Sequence, residues 1–101
     1  MSKQKARNKE TVRSDSVFVF TDEAWEDYLH WQRVDPKVLR KVNELLEECR
    51  RDPFKGAGKP EPLVGNLTGF WSRRVSLADR LVYMPQDGLI YVAACRFHYD
   101  D

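Results

Sequence analysis

The firmest constraint in this sequence is a pair of prolines, Pro36 and Pro53, with helical periodicity between them. Asp35-Pro36 has the form of a helix start, an N-capping side chain followed by proline at the first helical position. Val38, Leu39, Val42, Leu45, Leu46 and Cys49 then recur on one stripe until Pro53 ends the run. Glu47 and Arg51 stand one turn apart on the opposite face, where they can pair. A second helical stretch lies immediately before the first proline. Thr21 can cap it, Asp22, Glu23 and Glu26 suit its positive end, and Trp25, Tyr28, Leu29 and Gln32 follow at helical spacing with Ala24 beside Trp25. Two adjacent helices over residues 21–52 leave the remaining chain to supply whatever they pack against.

That remainder reads as β structure. Val17 to Phe20 is a short apolar run fit for a buried strand. Residues 53–69, rich in proline and glycine, read as an extended loop with no element of their own, and a loop of that length is often functional. Three β-like runs follow, 70–75, 79–84 and 89–97, separated by Ser76-Leu77-Ala78 and a segment ending in Asp87-Gly88. The expected fold is α+β, with two N-terminal helices packed on one face of a mostly antiparallel twisted sheet. Residues 17–101 form one domain in this reading. Residues 1–16 carry one branched aliphatic side chain, Val12, among lysines and arginines, and read as a flexible basic arm.

Composition excludes several classes. The chain has 101 residues and a hydrophobic fraction of 42%, which fits one compact domain. Its two cysteines, Cys49 and Cys95, fall on apolar runs and read as small buried hydrophobes rather than a disulfide or a nucleophile. No stretch has the length of a membrane span, there is no signal-peptide pattern, and a cytoplasmic protein is expected. No metal-binding motif, phosphate loop or dinucleotide fingerprint is present, so neither a metal nor another cofactor is expected.

The formal net charge of +1 conceals a polarised chain. Arg50, Arg51, Lys55, Lys59, Arg73, Arg74 and Arg80 outnumber the acids of the same segment, whereas the first helix begins with acids. A basic face with exposed aromatics suits single-stranded RNA through phosphate neutralisation and base stacking. Lys55, Lys59, Arg73 and Arg96 are the expected RNA-binding cations. Arg73 and Arg74 are adjacent in a strand and must point to opposite faces, so at least one has a specific partner. A three-residue turn at 76–78 would put Arg74 opposite Arg80. His98 shares parity with Ala94 and Arg96. Arg80 joins that face if the loop near Gln86 has odd length, or if a bulge has the same effect, and falls on the other face with a plain two-residue Asp87-Gly88 turn.

Several segments resemble a known family. EAWEDYLHWQ at 23–32, KVNELLEECRRDPFKGAGKPEPL at 41–63, NLTGFWSRRV at 66–75, DRLVY at 79–83 and AACRFHY at 93–99 are similar to the YoeB toxins of the RelE superfamily. The resemblance implies a toxin of a type II toxin–antitoxin system, a metal-independent endoribonuclease that cuts messenger RNA in the ribosomal A site and so blocks translation. It implies Glu61 as general base, His98 as general acid, Arg80 as the transition-state cation, Arg74 as a second arginine of the same face, and Tyr99 packing on the RNA. The chemistry is suited to such a set. A carboxylate and an imidazole can move the two protons of internal phosphoryl transfer, and arginine offers a fixed cation to the phosphate oxygens. The implied partners are a YefM/Phd-type antitoxin, a second copy in a homodimer, and operator DNA only through the antitoxin complex; no membrane is implied. Val64-Gly65, Asp100-Asp101 and the basic arm depart from the family pattern. The alternative is a non-catalytic toxin like the ParE relatives, which share the fold and bind DNA gyrase.

Overall fold

The computed structural model describes residues 17–97. The basic arm at 1–16, together with His98, Tyr99, Asp100 and Asp101, lies outside the described residues. Within them the order is β1 (Phe18–Phe20), α1 (Asp22–Val34), α2 (Pro36–Arg51), β2 (Glu61–Pro62), a 3-10 turn at Gly65–Leu67, β3 (Trp71–Arg74), β4 (Arg80–Gln86) and β5 (Leu89–Ala94). The strands form one sheet in the order β1-β5-β4-β3-β2, with β1 parallel to β5 and the other pairings antiparallel. Two helices against a mostly antiparallel sheet is the architecture expected from sequence.

Both helix starts follow from local chemistry. Thr21 Oγ1 accepts a hydrogen bond from Ala24 N at 3.0 Å, and Asp35 takes the corresponding role before Pro36, accepting from Val38 N at 3.4 Å. On α2 the buried stripe is Val42, Leu45, Leu46 and Cys49, with Val38 and Leu39 half-buried beside it. The pairing expected of Glu47 with Arg51 is instead made by Arg50, at 3.3 Å.

Three expectations need correction. On α1 the buried residues are Ala24, Asp27 and Trp31, whereas Trp25 is 48% exposed and stacks on Tyr28 with ring centroids 5.6 Å apart. An acid sits on the buried face because Asp27 Oδ2 accepts a hydrogen bond from Cys95 N at 3.0 Å, a backbone partner invisible to periodicity. The first strand is an edge strand rather than a buried one, and Val19 is exposed. The loop before Gly69 is not featureless: β2 pairs with β3 and the 3-10 turn follows. A two-residue strand ending in proline can exist there because the sheet edge demands few hydrogen bonds of it.

The core joins Trp31, Val42, Leu45 and Leu46 to Leu81, Tyr83, Ile90 and Val92. Cys49 and Cys95 are free and buried, as expected. Burial pushes their thiols up to about 11 and about 12 respectively, which keeps both protonated and unreactive.

Candidate active site

The site is a product of strand register. Glu61 on β2 lies opposite Ser72 on β3, Ser72 opposite Val82 on β4, and Val82 opposite Ala94 on β5. Opposed residues share a face, so one row runs across four strands away from the helices. One step along, Arg74 lies opposite Arg80. This is the pairing that a three-residue turn at 76–78 requires. Residues two apart on a strand share a face, so Arg74 and Arg80 stand on the same side as Glu61.

The β4–β5 hairpin decides whether the end of the chain joins them. Asp87 and Gly88 form a two-residue turn, with Gln86 opposite Leu89 and both turn residues at positive φ, 53° and 80°. Taken alone, that turn would carry Arg80 to the face opposite Ala94 and Arg96. The register slips, however, between Val82 and Tyr83. Tyr83 pairs with Val92 and Val82 with Ala94, leaving Ala93 as an extra residue in β5. The bulge inverts side-chain parity beyond it. Ala94 thereby joins the Glu61 row, Arg96 lines a cleft with Val82 and Ala94, and Arg80 N donates to Phe97 O at 3.0 Å.

Charge on this face is unbalanced. Among the described residues the one salt bridge is Arg50–Glu47, on helix α2 away from the site. Arg74 is exposed, and Arg80 and Arg96 are half-buried. Arg80 is oriented from its own turn: Nη1 donates to Ser76 O at 2.8 Å and to Asp79 O at 3.1 Å. The Arg96 guanidinium lies 4.3 Å from the centroid of the Phe97 ring. Guanidinium groups with no salt-bridge partner among the described residues, on the face that also carries an exposed acid, suit an anionic ligand such as a phosphodiester. A cleft of about 240 Å3 opens here, lined by Leu67, Val82, Ala94, Arg96 and Phe97, with Glu23 reaching in from the start of α1. Two larger hollows, of about 400 and 430 Å3, lie beside Cys49 and beside Trp25 and contain none of the expected site residues.

Arg73 does not belong to this face, which corrects its expected role as an RNA contact. It is 0% exposed. Its Nε donates to the Tyr83 hydroxyl at 3.0 Å, Nη1 to Ala57 O at 2.8 Å, and Nη2 to Asp52 O at 2.6 Å and Lys55 O at 2.9 Å. The tyrosine in turn donates to Pro53 O at 2.6 Å. Arg73 therefore pins the loop between α2 and β2 to the helix side of the sheet. Lys55 lies in that pinned loop with its side chain exposed, away from the row that carries Glu61. Gly58 allows the loop to close on the sheet. It has φ +84° and its carbonyl accepts from Arg74 N at 2.6 Å, while an added Cβ would lie 2.9 Å from Leu45 Cδ2 and 3.0 Å from Arg73 Cβ. Lys59 follows, exposed and at φ 51°, two residues before Glu61 at the sheet edge.

The structure thus sets Glu61, Arg74 and Arg80 on one face, lines the neighbouring cleft with Arg96, leaves Lys59 two residues before Glu61, and removes Arg73 to the other face. His98 and Tyr99 lie outside the described residues, directly after Phe97. Sequence reading missed Glu23 and Phe97 as cleft residues and Asp79 as a contact. Asp79 Oδ1 accepts from Phe97 N at 2.6 Å. Nothing in its local sequence distinguishes Asp79 from an ordinary turn acid.

A family model for the YoeB-like toxin of bacterial type II toxin–antitoxin systems matches residues 20–99. The chain is 52% identical over 81 residues to the toxin YoeB of Escherichia coli strain K12, covering 80% of this chain and 96% of that one. Among solved structures, a YoeB/ParE toxin from Agrobacterium tumefaciens superposes with a TM-score of 0.79 at 44% identity, over 82% of this chain and 99% of that one. Two structures from Staphylococcus aureus, a YoeB dimer and a heterotetrameric YoeB–YefM toxin–antitoxin complex, give TM-scores of 0.77 and 0.78, each at 44% identity over 83% of this chain and 98% of theirs.

Proposed function

This chain belongs to the YoeB-like toxins of bacterial type II toxin–antitoxin systems, and we propose that it acts as a ribosome-dependent endoribonuclease that cuts messenger RNA. The observation that carries the reading is the register of β2, β3 and β4, which sets Glu61, Arg74 and Arg80 on one face of the sheet, with the bulge at Ala93 turning the end of β5 toward it. A toxin that only bound a protein would have no need of a carboxylate and several guanidinium groups converging there.

In the proposed reaction the RNA supplies its own nucleophile. Glu61 takes the proton of a ribose 2'-hydroxyl, whose oxygen forms a bond to the adjacent phosphorus. The bond from phosphorus to the 5'-oxygen breaks, and His98 delivers a proton to that leaving oxygen. The products are a cyclic phosphate and a free 5'-hydroxyl. Arg80 and Arg74 meet the charge on the non-bridging oxygens as it grows, and Tyr99 packs on the RNA. General acid and base are each worth about 10²–10⁴-fold, and a preorganised cation in a site partly shielded from water adds electrostatic stabilisation. The ribosome holds the message in place, an advantage that five side chains on a small domain cannot supply alone. Cleavage of free RNA is accordingly expected to be weak.

Partners follow by likeness to the Staphylococcus aureus structures. We assign this chain a YefM-type antitoxin as its inhibitor and a homodimer as its free state. Primer-extension mapping of messenger RNA in a reconstituted translation reaction tests the reading, with wild type compared against His98→Ala. A discrete ribosome-dependent cut that vanishes in the variant is the expected result. Intact message with both folded proteins would overturn the reading and favour a non-catalytic, gyrase-binding toxin.

A further inference from the structure

The segment that runs into His98 is held at four backbone atoms. Asp27 Oδ2 accepts from Cys95 N at 3.0 Å, and Trp31 Nε1 donates to Cys95 O at 2.8 Å. Two residues on, Asp79 Oδ1 accepts from Phe97 N at 2.6 Å and Arg80 N donates to Phe97 O at 3.0 Å. Phe97 is 59% exposed, so packing does not fix it. Its φ is +66°, a left-handed conformation that a residue with a Cβ disfavours and that persists only where its surroundings impose it. A carboxylate accepting a backbone N–H is the stronger, charge-assisted kind of hydrogen bond, and here it meets the strained residue directly.

The same carboxylate shapes the arginine. Asp79 Oδ2 accepts from the Ser76 hydroxyl at 2.9 Å, and Ser76 Oγ accepts in turn from Ala78 N and Asp79 N. This network sets the β3–β4 turn, whose carbonyl oxygens at Ser76 and Asp79 receive Arg80 Nη1. One side chain therefore connects the turn that aims Arg80 with the residue from which the chain continues to His98 and Tyr99.

We propose that Asp79 is a positioning residue for the cleavage reaction: it holds Phe97, the residue that precedes the general acid in sequence, left-handed, and it shapes the turn that orients Arg80. This rests on the ribonuclease reading above. Asp79 touches neither RNA nor a transferred proton in this scheme. Its removal should therefore slow the chemical step and leave ribosome affinity alone.

The test is single-turnover cleavage of ribosome-bound messenger RNA by wild type, Asp79→Ala and Asp79→Asn, with hydrogen exchange at the Phe97 amide measured on the free proteins. Asparagine keeps an oxygen that can accept from Phe97 N. The expected result is a loss on the order of 100-fold in the saturated rate for Asp79→Ala, an unchanged half-saturating ribosome concentration, and recovery of most of the rate in Asp79→Asn. The Phe97 amide should be protected in wild type and Asp79→Asn and should exchange freely in Asp79→Ala. If Asp79→Ala does not fold, Asp79→Asn and the protection of its Phe97 amide decide the matter. A saturated rate in Asp79→Ala equal to that of wild type overturns the proposal, as does an Asp79→Asn rate no better than that of alanine. If wild type itself leaves the message intact, the ribonuclease reading fails and this proposal falls with it.

Discussion

The Thr21 hydroxyl donates to the carbonyl oxygen of Ala93 at 3.0 Å while its oxygen accepts from Ala24 N at 3.0 Å. One side chain thereby starts α1 and clasps the bulged residue of β5, and Thr21 N adds a bond to Val92 O at 3.0 Å. The helix start and the parity of the site are coupled through this contact. Thr21→Ala should cost about 1–2 kcal/mol in urea unfolding, and Thr21→Ser should restore most of it. A loss below about 0.5 kcal/mol for the alanine variant would show that neither bond matters to stability.

Adjacent arginines should respond in opposite ways. Arg73→Ala removes the donors to three part-buried loop carbonyls and to the buried Tyr83 hydroxyl, and should destabilise the domain by about 3 kcal/mol or more. Lysine cannot rescue it, because an ammonium lacks the planar fork that reaches several loop carbonyls and Tyr83 together. Arg74→Ala, at an exposed position, should change stability by less than about 0.5 kcal/mol. It should instead flatten the salt dependence of single-stranded RNA binding by about 0.7 in log–log slope. Unfolding curves and binding titrations across a salt series check both. A salt slope unchanged in Arg74→Ala would remove that residue from the RNA face.

How far the sequence foretold this arrangement varies with the physics involved. Helix starts at Thr21 and Asp35 were legible because capping is local. The opposition of Arg74 and Arg80 was legible because it depends on the length of one short turn. The bulge at Ala93 was not, since nothing in the alternation of residues 89–97 marks an extra residue; parity arguments could state only that a bulge or an odd loop was needed. The burial of Arg73 was half legible. Adjacent strand residues must face opposite ways, but which one meets the loop carbonyls depends on how residues 52–58 fold back. Asp27 and Asp79 were illegible because each is satisfied by a backbone N–H far along the chain, at Cys95 and at Phe97.

Glu61 is exposed on a two-residue edge strand, so its contribution to folding should be small and its contribution to chemistry separable. Glu61→Gln keeps size and hydrogen-bonding capacity but cannot accept the 2'-hydroxyl proton. The saturated cleavage rate on ribosomes should fall by about 10²–10⁴-fold, while the unfolding midpoint stays at the wild-type value. Full activity in Glu61→Gln would reassign the base. Glu23, which lines the cleft beside Arg96 and Phe97, would then be the next carboxylate to replace.

The buried acid at Asp27 should leave a signature in the pH dependence of stability. Loss of solvent raises its pKa above the ordinary 3.8, against the lowering effect of the Cys95 N–H; the nearby Glu23 pushes it further up, and Arg96 and His30 oppose this. A carboxyl whose pKa is higher in the folded state favours folding most when protonated. Its contribution is complete below about pH 3.8 and is lost as pH rises through the folded value. Asparagine at this position can still accept from Cys95 N but carries no charge to desolvate. Asp27→Asn should therefore gain stability relative to wild type as pH rises from about 4 to about 8, and the difference should shrink again on acidification. Urea unfolding of both proteins across that range measures it. A difference that is flat with pH, or that widens toward acid, would mean that the carboxylate pays no desolvation cost beneath Cys95.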